Sequence, residues 1–490
     1  MAGIDAAGAC PGFLGPGLLK RSDMADPLHA TIETLLILLL IIFVVAAAAE
    51  RVRVPYPIAL VLVGLFGIQS TFHGVRLTPN LILLVFLPVL LFEGAYNVSA
   101  RRLLREIVPI AWLAIPGVLL ATLVTGALLH LALGLAWAVA LLFGALIAST
   151  DPIAVVSLFK YLRVPGRLAL LVEGESLFND GAAITLFQII LVTVVGGGFN
   201  LGLGVLRFVL TVAGALVVGA AVGVVGSNLM RRIDNAQAQI MASVVAAYGA
   251  YLLAETLTFS GAIAVVVAGL IFGNYGTTGG VSPRLVFALH TTWEFLGFCA
   301  NSLIFLLIGI ELDPLTLLGH WWPILIAFAA ALLGRAVAVY GFLPWLRGPL
   351  AIPWQFRPAL LWGGLRGAVS LALVLSLPLT VPGGQPFPDR GLLQVLAFGV
   401  VGLSLVAQGL TMAPLIRRLG LIRPPAAQDE LAVLRRRLHA TEDTLLVLAE
   451  ERERGEISDL HYARLANAYQ AEHDQLAAQV RQAESAIPAE

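Results

Sequence analysis

The chain has 490 residues, of which 59% are hydrophobic and only 12% are charged, and its 30 basic and 30 acidic side chains cancel. Soluble proteins average about 25% charged residues, so this composition excludes an ordinary soluble protein and indicates many membrane-spanning segments. The two cysteines, Cys10 and Cys299, predict neither a disulfide framework nor a metal cluster. No nucleophile–base constellation, phosphate loop or metal-ligand spacing stands out, and we therefore expect no enzyme.

Residues 1–30 contain glycine, proline and the pair Lys20-Arg21, but no continuous apolar run. They do not resemble a cleavable signal peptide, whose central region is apolar throughout. We expect an extracytoplasmic extension that is dispensable, because Met24 opens a run that would serve as a start in its own right.

Thirteen apolar runs of about the length that crosses a bilayer follow this extension. They fall at about 31–49, 56–72, 80–97, 106–131, 135–158, 168–195, 202–228, 236–254, 259–274, 285–311, 321–345, 358–381 and 391–415. Residues 31–420 are therefore predicted to form an all-helical transmembrane domain.

Lysine and arginine are distributed unevenly over the loops between these runs. Even-numbered loops carry only Arg76 and Arg390. Odd-numbered loops carry Arg51, Arg53, Arg101, Arg102, Arg105, Lys160, Arg163, Arg167, Arg231, Arg232, Arg284, Arg347 and Arg357. Because positively charged loops stay on the cytoplasmic side, the odd loops and the C-terminus are predicted to be cytoplasmic and the N-terminus to lie outside.

A weak internal repeat appears when the chain is shifted by about 214 residues, which aligns 150–155 with 364–369. Each of these segments lies in an apolar run and contains one charge and residues that break helices. Asp151-Pro152 lies in the fifth run and Arg366-Gly367 in the twelfth. Interrupted helices in corresponding positions of two halves of opposite topology are typical of the substrate site of secondary transporters. We therefore predict two inverted six-helix repeats.

The sixth run contains the sequence Glu175-Ser176-Leu177-Phe178-Asn179-Asp180. An ionisable group at the bilayer centre costs roughly 2.5–3.5 kcal/mol, so such groups usually serve a function. At helical spacing the four polar side chains share one side over about one turn. The break at Asp151-Pro152 adds hydroxyls from Ser149 and Thr150 and frees carbonyl oxygens. Carboxylate, hydroxyl and carbonyl oxygens are the ligands of small hard cations, and the pattern predicts a cation site.

A charge count divides the roles within this site. Arg366 is predicted to pair with Glu175, which leaves Asp180 as the main exchangeable carboxylate and Asp151 as an auxiliary one. A carboxylate that binds either a proton or a sodium ion, but not both, couples the two transports. Two other interpretations stay open: Asp151 as a helix cap only, and the Glu175–Arg366 pair as a purely structural bridge.

Other charged residues of the apolar runs are expected to have supporting roles. Arg335 is predicted to be a structural partner or an anchor for carbonyl groups. Glu93, Glu294 and Glu311 lie nearer the ends of their runs, where solvated or interfacial roles are expected.

Four segments resemble the monovalent cation:proton antiporter-1 family, the NhaP-like bacterial sodium/proton antiporters related to animal sodium/proton exchangers. They are ASTDPIAVVSLFK at 148–160, EGESLFNDGAAI at 173–184, WEFLGFCANSLIFLLIGIEL at 293–312 and WGGLRGAVSLAL at 362–373. The resemblance implies thirteen helices in two inverted repeats with discontinuous crossing helices. It also implies a homodimer whose core domain moves like an elevator.

The same resemblance assigns roles to single residues. It implies that Asp180 is the essential carboxylate for cation and proton, and that Asp151, Ser176 and the Thr150 carbonyl supply further ligands to Na+. It implies that Glu175 pairs with Arg366. The dipeptide Asn179-Asp180 is the family's signature of electroneutral exchange.

Residues 421–490 differ sharply in composition from the preceding part, with thirteen acidic and seven basic residues after position 427. Leucines at helical spacing predict one helix, Gly455 interrupts it, and Ser458 is a candidate N-cap for a second. We predict a cytoplasmic helical hairpin or a pair of helices that packs on a dimer mate.

The sequence as a whole predicts an electroneutral antiporter in the cell membrane that exchanges Na+, or alternatively Li+, for H+ and contributes to sodium and pH homeostasis. Since oxygen ligands do not report cavity size, a K+/H+ antiporter on the same scaffold is the alternative. A passive channel would need a filter-like loop, and a sensor acting through the tail leaves the Asp180 cluster unexplained. The expected partners are Na+, H+, the lipid bilayer and a second copy of the chain, with no cofactor and no nucleic acid.

Overall fold

A computed structural model of the chain describes residues 27–52, 55–68, 78–196, 201–233, 235–276, 283–422, 427–453 and 457–485. The predicted N-terminal extension up to position 26, the loop arginines Arg53 and Arg76, and the helix break at Gly455 lie outside the described residues. The chain divides into two compact units, one of Met1–Leu158 and Arg167–Ala413, the other of Phe159–Gly166 and Pro414–Glu490.

Helices make up nearly all of the described residues up to position 418. They are α1 (Pro27–Val52), α2 (Tyr56–Val63), α3 (Leu87–Asn97), α4 (Ala100–Arg105), α5 (Ile107–Ala114), α6 (Pro116–Leu133), α7 (Trp137–Ala148), α8 (Ile153–Leu162), α9 (Gly166–Gly196), α10 (Leu201–Met230), α11 (Ala236–Thr256), α12 (Gly261–Ile271), α13 (Pro283–Glu311), α14 (Pro314–Gly319), α15 (Trp321–Phe342), α16 (Phe356–Trp362), α17 (Ala368–Leu375), α18 (Arg390–Leu403) and α19 (Gly409–Arg418). Four π-helical segments extend or join them, at Gly64–Ile68, Leu81–Phe86, Phe272–Gly276 and Ser404–Gln408.

Among the residues that the structure describes, seven helical stretches are long and apolar enough to cross a membrane. They are Ile107–Leu133, Gly166–Gly196, Gly202–Met230, Ala236–Thr256, Val286–Glu311, Trp321–Gly341 and Arg390–Arg418. Shorter apolar helices cover Glu33–Ala49, Tyr56–Phe66, Leu81–Asn97, Trp137–Ala148 and Gly261–Tyr275. Large apolar side chains such as Phe43 and Val217 are exposed on the outside, as lipid contact requires. The chain is therefore a multi-pass membrane protein.

Two of the predicted apolar runs are interrupted by four or five non-helical residues. In the fifth run α7 ends at Ala148 and α8 begins at Ile153, and in the twelfth run α16 ends at Trp362 and α17 begins at Ala368. Pro152 has no backbone N–H and disfavours helix at the preceding residue, which explains the first break. Both interruptions were predicted from the sequence.

Small residues let several helices of the first unit approach backbone to backbone. A Cβ atom on Gly144 of α7 would lie 2.5 Å from the carbonyl oxygen of Thr122 in α6. A Cβ atom on Gly219 of α10 would overlap the carbonyl oxygen of Ala264 in α12. These contacts hold α6 with α7, and α10 with α12, at distances that a larger side chain would not allow.

The second unit contains two long helices, α20 (Ala427–Glu453) and α21 (Asp459–Ser485), which pack against each other. The side chains of Leu448, Leu476 and Val480 are buried. The predicted N-cap is confirmed, since the backbone N–H of His461 donates to Oγ of Ser458 across 3.4 Å.

Candidate functional site

Asp180 lies in the middle of α9 and is 8% exposed. Oγ of Ser149 donates a hydrogen bond of 2.5 Å to its Oδ1. Ser149 is the first residue after α7, so the end of that helix reaches the carboxylate directly. Because an ionised carboxylate only accepts hydrogen bonds, the hydroxyl is a suitable partner for it.

Three further side-chain contacts join the break after α7 to α9. Nδ2 of Asn179 donates to Oγ1 of Thr150 across 2.6 Å, and the backbone N–H of Thr150 donates to Oδ1 of Asn179 across 3.5 Å. Oγ of Ser176 donates to the carbonyl oxygen of Thr150. All three residues are buried. The predicted site residues of α9 and of the break therefore come together.

Asp151 lies where the two broken helix pairs cross. Its backbone N–H donates to the carbonyl oxygen of Leu365 across 2.8 Å, and its Oδ1 accepts from the N–H of Ile153 at the start of α8. A carboxylate at this place caps α8 and complements the positive end of its dipole. The capping bond uses one carboxylate oxygen, and the side chain is partly exposed, so Asp151 remains able to ligate a cation.

The crossing is close enough to exclude a side chain at Gly367. A Cβ atom there would lie 2.5 Å from both Cβ and Oδ2 of Asp151. The glycine therefore lets the second break approach the carboxylate of the first.

The predicted pairing of Glu175 with Arg366 is wrong. Nη1 and Nη2 of Arg335 in α15 donate to Oε1 and Oε2 of Glu175 across 2.7 Å and 3.1 Å. Both carboxylate oxygens are thus bound by one planar guanidinium, which matches the geometry of a bidentate pair. Nε of Arg335 also donates to the carbonyl oxygen of Leu360 across 3.0 Å, so its predicted role as a structural partner and carbonyl anchor is confirmed.

Arg366 binds backbone carbonyls instead. Its Nη1 donates to the carbonyl oxygens of Ala148 and Ser149 across 3.0 Å and 3.2 Å. The last carbonyls of a helix have no partner within that helix, and a cation is favourable near the negative end of its dipole. Arg366 therefore balances the end of α7 while Asp151 balances the start of α8. Arg366, Arg335 and Glu175 also line one small cavity, which places both arginines near the same carboxylate.

Some partners within the site carried no signal in the sequence. The Leu365 carbonyl and the Ser404 hydroxyl, which accepts the backbone N–H of Arg366 across 3.1 Å, lie in otherwise apolar stretches. The sequence indicates Ser149 only as a source of a hydroxyl group, not as the partner of Asp180. Of the acids expected near the ends of their runs, Glu294 is exposed, and Oε1 of Glu93 accepts a hydrogen bond from Nδ2 of Asn97.

Comparisons with known proteins identify the family that the chain resembles. The family described as "Sodium/hydrogen exchanger, transmembrane" matches residues 36–418. The Na(+)/H(+) antiporter ApNhaP of Aphanothece halophytica is 39% identical over 396 residues, which cover 80% of this chain and 75% of that protein. The Na(+)/H(+) antiporter NhaP of Pseudomonas aeruginosa is 41% identical over 352 residues, which cover 68% of this chain and 80% of that protein.

A solved structure has the same fold. The sodium proton antiporter MjNhaP1 from Methanocaldococcus jannaschii aligns with a TM-score of 0.66 at 22% identity, over 80% of this chain and 99% of that one. The extent of the family match and the identity to the relatives confirm the resemblance seen in the four segments. The chain belongs to the sodium/hydrogen exchanger family.

Proposed function

We propose that this protein is a secondary antiporter that exchanges Na+ for H+ at Asp180. The observation that carries the proposal is the buried Asp180 carboxylate, hydrogen-bonded to Ser149 at the point where α7 is interrupted. A buried carboxylate among hydroxyl and carbonyl oxygens suits a small hard cation and suits a proton equally well. The relatives named as Na(+)/H(+) antiporters support this choice of ions.

The hydrogen bonds suggest how the oxygens serve two ligands in turn. A serine hydroxyl has one donor and two acceptor lone pairs, so Ser149 can donate to ionised Asp180 and still offer a lone pair to a bound cation. Ser176 and the Thr150 carbonyl keep free lone pairs in the same way. We assign Asp180, Asp151, Ser176 and Thr150 as the ligands of Na+. Asn179 precedes Asp180 and belongs to the same cation- and proton-binding cluster. Its side chain holds Thr150 in place through two hydrogen bonds.

Competition for one carboxylate couples the two flows. A proton on Asp180 removes the charge that attracts Na+, and bound Na+ disfavours the proton by the same factor, since linkage is reciprocal. One carboxylate then carries either one proton or one monovalent cation in each half of the cycle. The exchange is therefore electroneutral.

The remaining features of the architecture form part of the proposal. Residues 31–420 form the exchanger domain, with thirteen crossings in two inverted six-helix repeats, and 421–490 form a cytoplasmic tail. The contact between the two breaks, from the Asp151 N–H to the Leu365 carbonyl, supports paired halves. The N-terminus lies outside the cell membrane, the C-terminus inside, and the protein forms a homodimer that serves sodium and pH homeostasis.

The proposal is tested in everted membrane vesicles with an imposed pH gradient that is followed by a pH-sensitive dye. Addition of Na+ to the wild type should dissipate the gradient, Li+ should act similarly, and choline should not. Asp180→Asn should abolish the response, because an amide can neither release a proton nor supply a negative charge. A larger response to K+ than to Na+ would favour the K+/H+ alternative.

Glu294→Gln is the matched control, since it also replaces a carboxylate by an amide but at an exposed position of α13. It should respond as the wild type does. Failure of every alkali cation to act on the wild type would refute antiport, and full activity of Asp180→Asn would refute the mechanism at this site.

A further inference from the structure

The last apolar run carries three polar side chains on one side of its helix. Ser404, Gln408 and Thr411 are spaced by four and three residues, and helical spacing of this kind places them on the same side. Ser404 and Gln408 are 0% and 1% exposed. A buried polar group is costly unless it is hydrogen-bonded, so the partners of these side chains show what the group does.

All three side chains bind the ends of the second break, the one between α16 and α17. Nε2 of Gln408 donates to the carbonyl oxygen of Trp362, the last residue of α16, across 3.2 Å. Nε1 of the same tryptophan donates to Oγ1 of Thr411 across 2.8 Å. On the other side of the break, Oγ of Ser404 accepts the backbone N–H of Arg366 across 3.1 Å. The last crossing helix therefore binds the chain at both ends of the break.

The local structure of the last helix fixes these side chains. The Ser404 hydroxyl donates its proton to the carbonyl oxygen of Val401 across 2.9 Å, which leaves a lone pair for the N–H of Arg366. Ser404 and Gln408 are also the first and last residues of a π-helical segment. Such segments are rare and occur frequently at functional sites. Both buried side chains that hold the break thus belong to one π-helical turn.

The residue that Ser404 holds is two hydrogen bonds away from the Asp180 carboxylate. Nη1 of Arg366 donates to the carbonyl oxygen of Ser149 across 3.2 Å, and Oγ of Ser149 donates to Oδ1 of Asp180 across 2.5 Å. All four residues of this chain of hydrogen bonds are buried. Because a packed interior transmits displacements, a shift of the Arg366 backbone would disturb the bond between Ser149 and Asp180.

We propose that Ser404 and Gln408 are positioning residues for the cation site. They hold the two ends of the second break, so that Arg366 keeps Ser149 in hydrogen-bond contact with Asp180. This inference rests on exchange at Asp180. Since the two side chains act on the site through other residues, their loss should change the affinity for Na+ more than the maximal rate.

The first test compares Na+ titrations of the full-length protein in liposomes with an imposed pH gradient. Ser404→Ala removes the acceptor of the Arg366 N–H and should raise the apparent KM for Na+ on the order of tenfold, while the maximal rate changes by at most about twofold. Gln408→Met keeps the length of the side chain but cannot donate to Trp362, and it should raise KM about fivefold.

Ser370→Ala is the matched control for Ser404→Ala. Ser370 is the third residue of α17, after the same break, and is also 0% exposed, but its hydroxyl has no hydrogen-bond partner among the described residues. Its KM should stay within about twofold of the wild-type value. Ser404→Cys tests the same bond with a weaker acceptor of similar shape, so its KM should lie between those of the wild type and Ser404→Ala.

The second test asks whether Ser404 acts through Ser149. Ser149→Ala removes the hydroxyl that donates to Asp180 and should raise KM by itself. When Ser404→Ala is added to it, KM should rise by less than about twofold further, because the hydroxyl that Ser404 helps to place is already gone. A purely structural role of Ser404 predicts instead that the two effects multiply. Size-exclusion chromatography of each variant checks that it elutes as the wild type does.

The outcomes distinguish this inference from the proposed function. Unchanged KM in Ser404→Ala and Gln408→Met, or multiplied effects in the double variant, would overturn the positioning role while the wild type still exchanges Na+ for H+. Where Ser404→Ala does not fold, Ser404→Cys and Gln408→Met decide by the same criterion. Absence of exchange in the wild type would refute the proposed function itself.

Discussion

The two buried arginines beside the site, Arg335 and Arg366, have different partners and therefore different roles. Arg335 gives both terminal nitrogens to the carboxylate of Glu175, so charge meets charge. Arg366 gives its Nη1 to two backbone carbonyls at the end of α7. The first arginine balances an acid, and the second balances a helix terminus.

This division predicts which substitutions compensate each other. Glu175→Leu or Arg335→Leu alone should lower the free energy of unfolding by about 3–5 kcal/mol, because each leaves an uncompensated buried charge. The double variant Glu175→Leu/Arg335→Leu should recover most of that loss, since apolar residues replace both charges. Thermal unfolding of the purified proteins in detergent measures the effect.

The control cycle combines Glu175→Leu with Arg366→Leu. No recovery is expected, since Arg366 makes no bond to Glu175 and its loss strips the carbonyls of Ala148 and Ser149 of their donor. Recovery in this pair, and none in the pair with Arg335, would contradict the assignment.

The polar residues of the site were predictable from the sequence, but the Arg335–Glu175 pairing was not. Asp180, Asn179, Ser176 and Glu175 stand out because polar groups are costly in an apolar run. A choice between two arginines depends on which guanidinium reaches both oxygens of Glu175. The sequence does not give that distance. A charge count also leaves out the free backbone carbonyls at a helix end, which are the partners of Arg366.

At the scale of elements, the crossing of the two breaks depends on Gly367. Replacement by alanine should reduce Na+-dependent exchange at least about tenfold, because its methyl group must displace either the Asp151 carboxylate or the Asp151–Leu365 hydrogen bond. Initial rates in vesicles, corrected for the amount of protein, measure the loss.

Gly391→Ala in the first turn of α18 is the matched control, because nothing lies within 4 Å of a Cβ atom there. Alanine is favoured over glycine in a helix by up to about 1 kcal/mol, so this variant should be as stable as the wild type or more stable and as active. Equal activity of both variants would show that the crossing tolerates a side chain.

The tail hairpin contains a small cluster of charges that should respond to pH. Glu442 of α20 contacts His439 at 3.0 Å and His473 of α21 at 3.4 Å, and His473 also contacts Asp474 at 3.3 Å. The hydrogen bonds to Asp474 and then Glu442 raise the pKa of His473. The hydrogen bonds from His439 and His473 lower the pKa of Glu442.

The two pKa shifts stabilise the tail hairpin over different ranges of pH. The contribution of His473 is fully present below its ordinary pKa of about 6.5 and is lost as pH rises through the raised value, whereas that of Glu442 is present above about 4.3 and is lost as pH falls. Hydrogen exchange in the full-length protein should therefore show that the backbone amides of α20 around Glu442 and of α21 around His473 are more protected near pH 6 than at alkaline pH. His473→Gln should flatten this dependence, and added salt should weaken it because the groups are exposed.

The helix interruptions were predictable because their causes are local. Pro152 removes a backbone donor, and glycines at 363, 364 and 367 weaken the twelfth run. The contact between the interruptions was suggested only by a weak repeat. Contacts between residues far apart in the chain depend on how the intervening helices pack, which local propensity does not encode.

For the whole molecule, exchange at one carboxylate predicts independence of the membrane potential. Moving one net charge across 100 mV changes the free energy by about 2.3 kcal/mol, so an electrogenic exchanger would respond strongly. We expect the rate of Na+-dependent proton movement in liposomes to be the same with the potential clamped at zero by valinomycin and K+ as with an imposed potential. A severalfold change would contradict one-for-one exchange.

The fold class was predictable at this scale because a bilayer imposes long apolar runs and a bias in loop charge. The bounds of the individual helices were less predictable, since several helices are short or joined through π-helical segments. The breaks after α7 and α16 are compatible with a membrane because residues 149–150 and 363–367 are buried among other helices, where polar backbone is tolerated.

The bonds between Arg366 and the end of α7 also constrain how the protein is made. Arg366 lies 218 residues after Ala148 in the chain, which a ribosome adds in roughly ten to forty seconds at about 5–20 residues per second. During that interval the carbonyls at the end of α7 and the backbone of the first break have no partner from the second half, and unsatisfied groups of this kind cost several kcal/mol each in lipid. We therefore expect the first half of the nascent exchanger to stay in a hydrated environment, such as the insertion machinery supplies, until Arg366 is synthesised and binds the carbonyls at the end of α7.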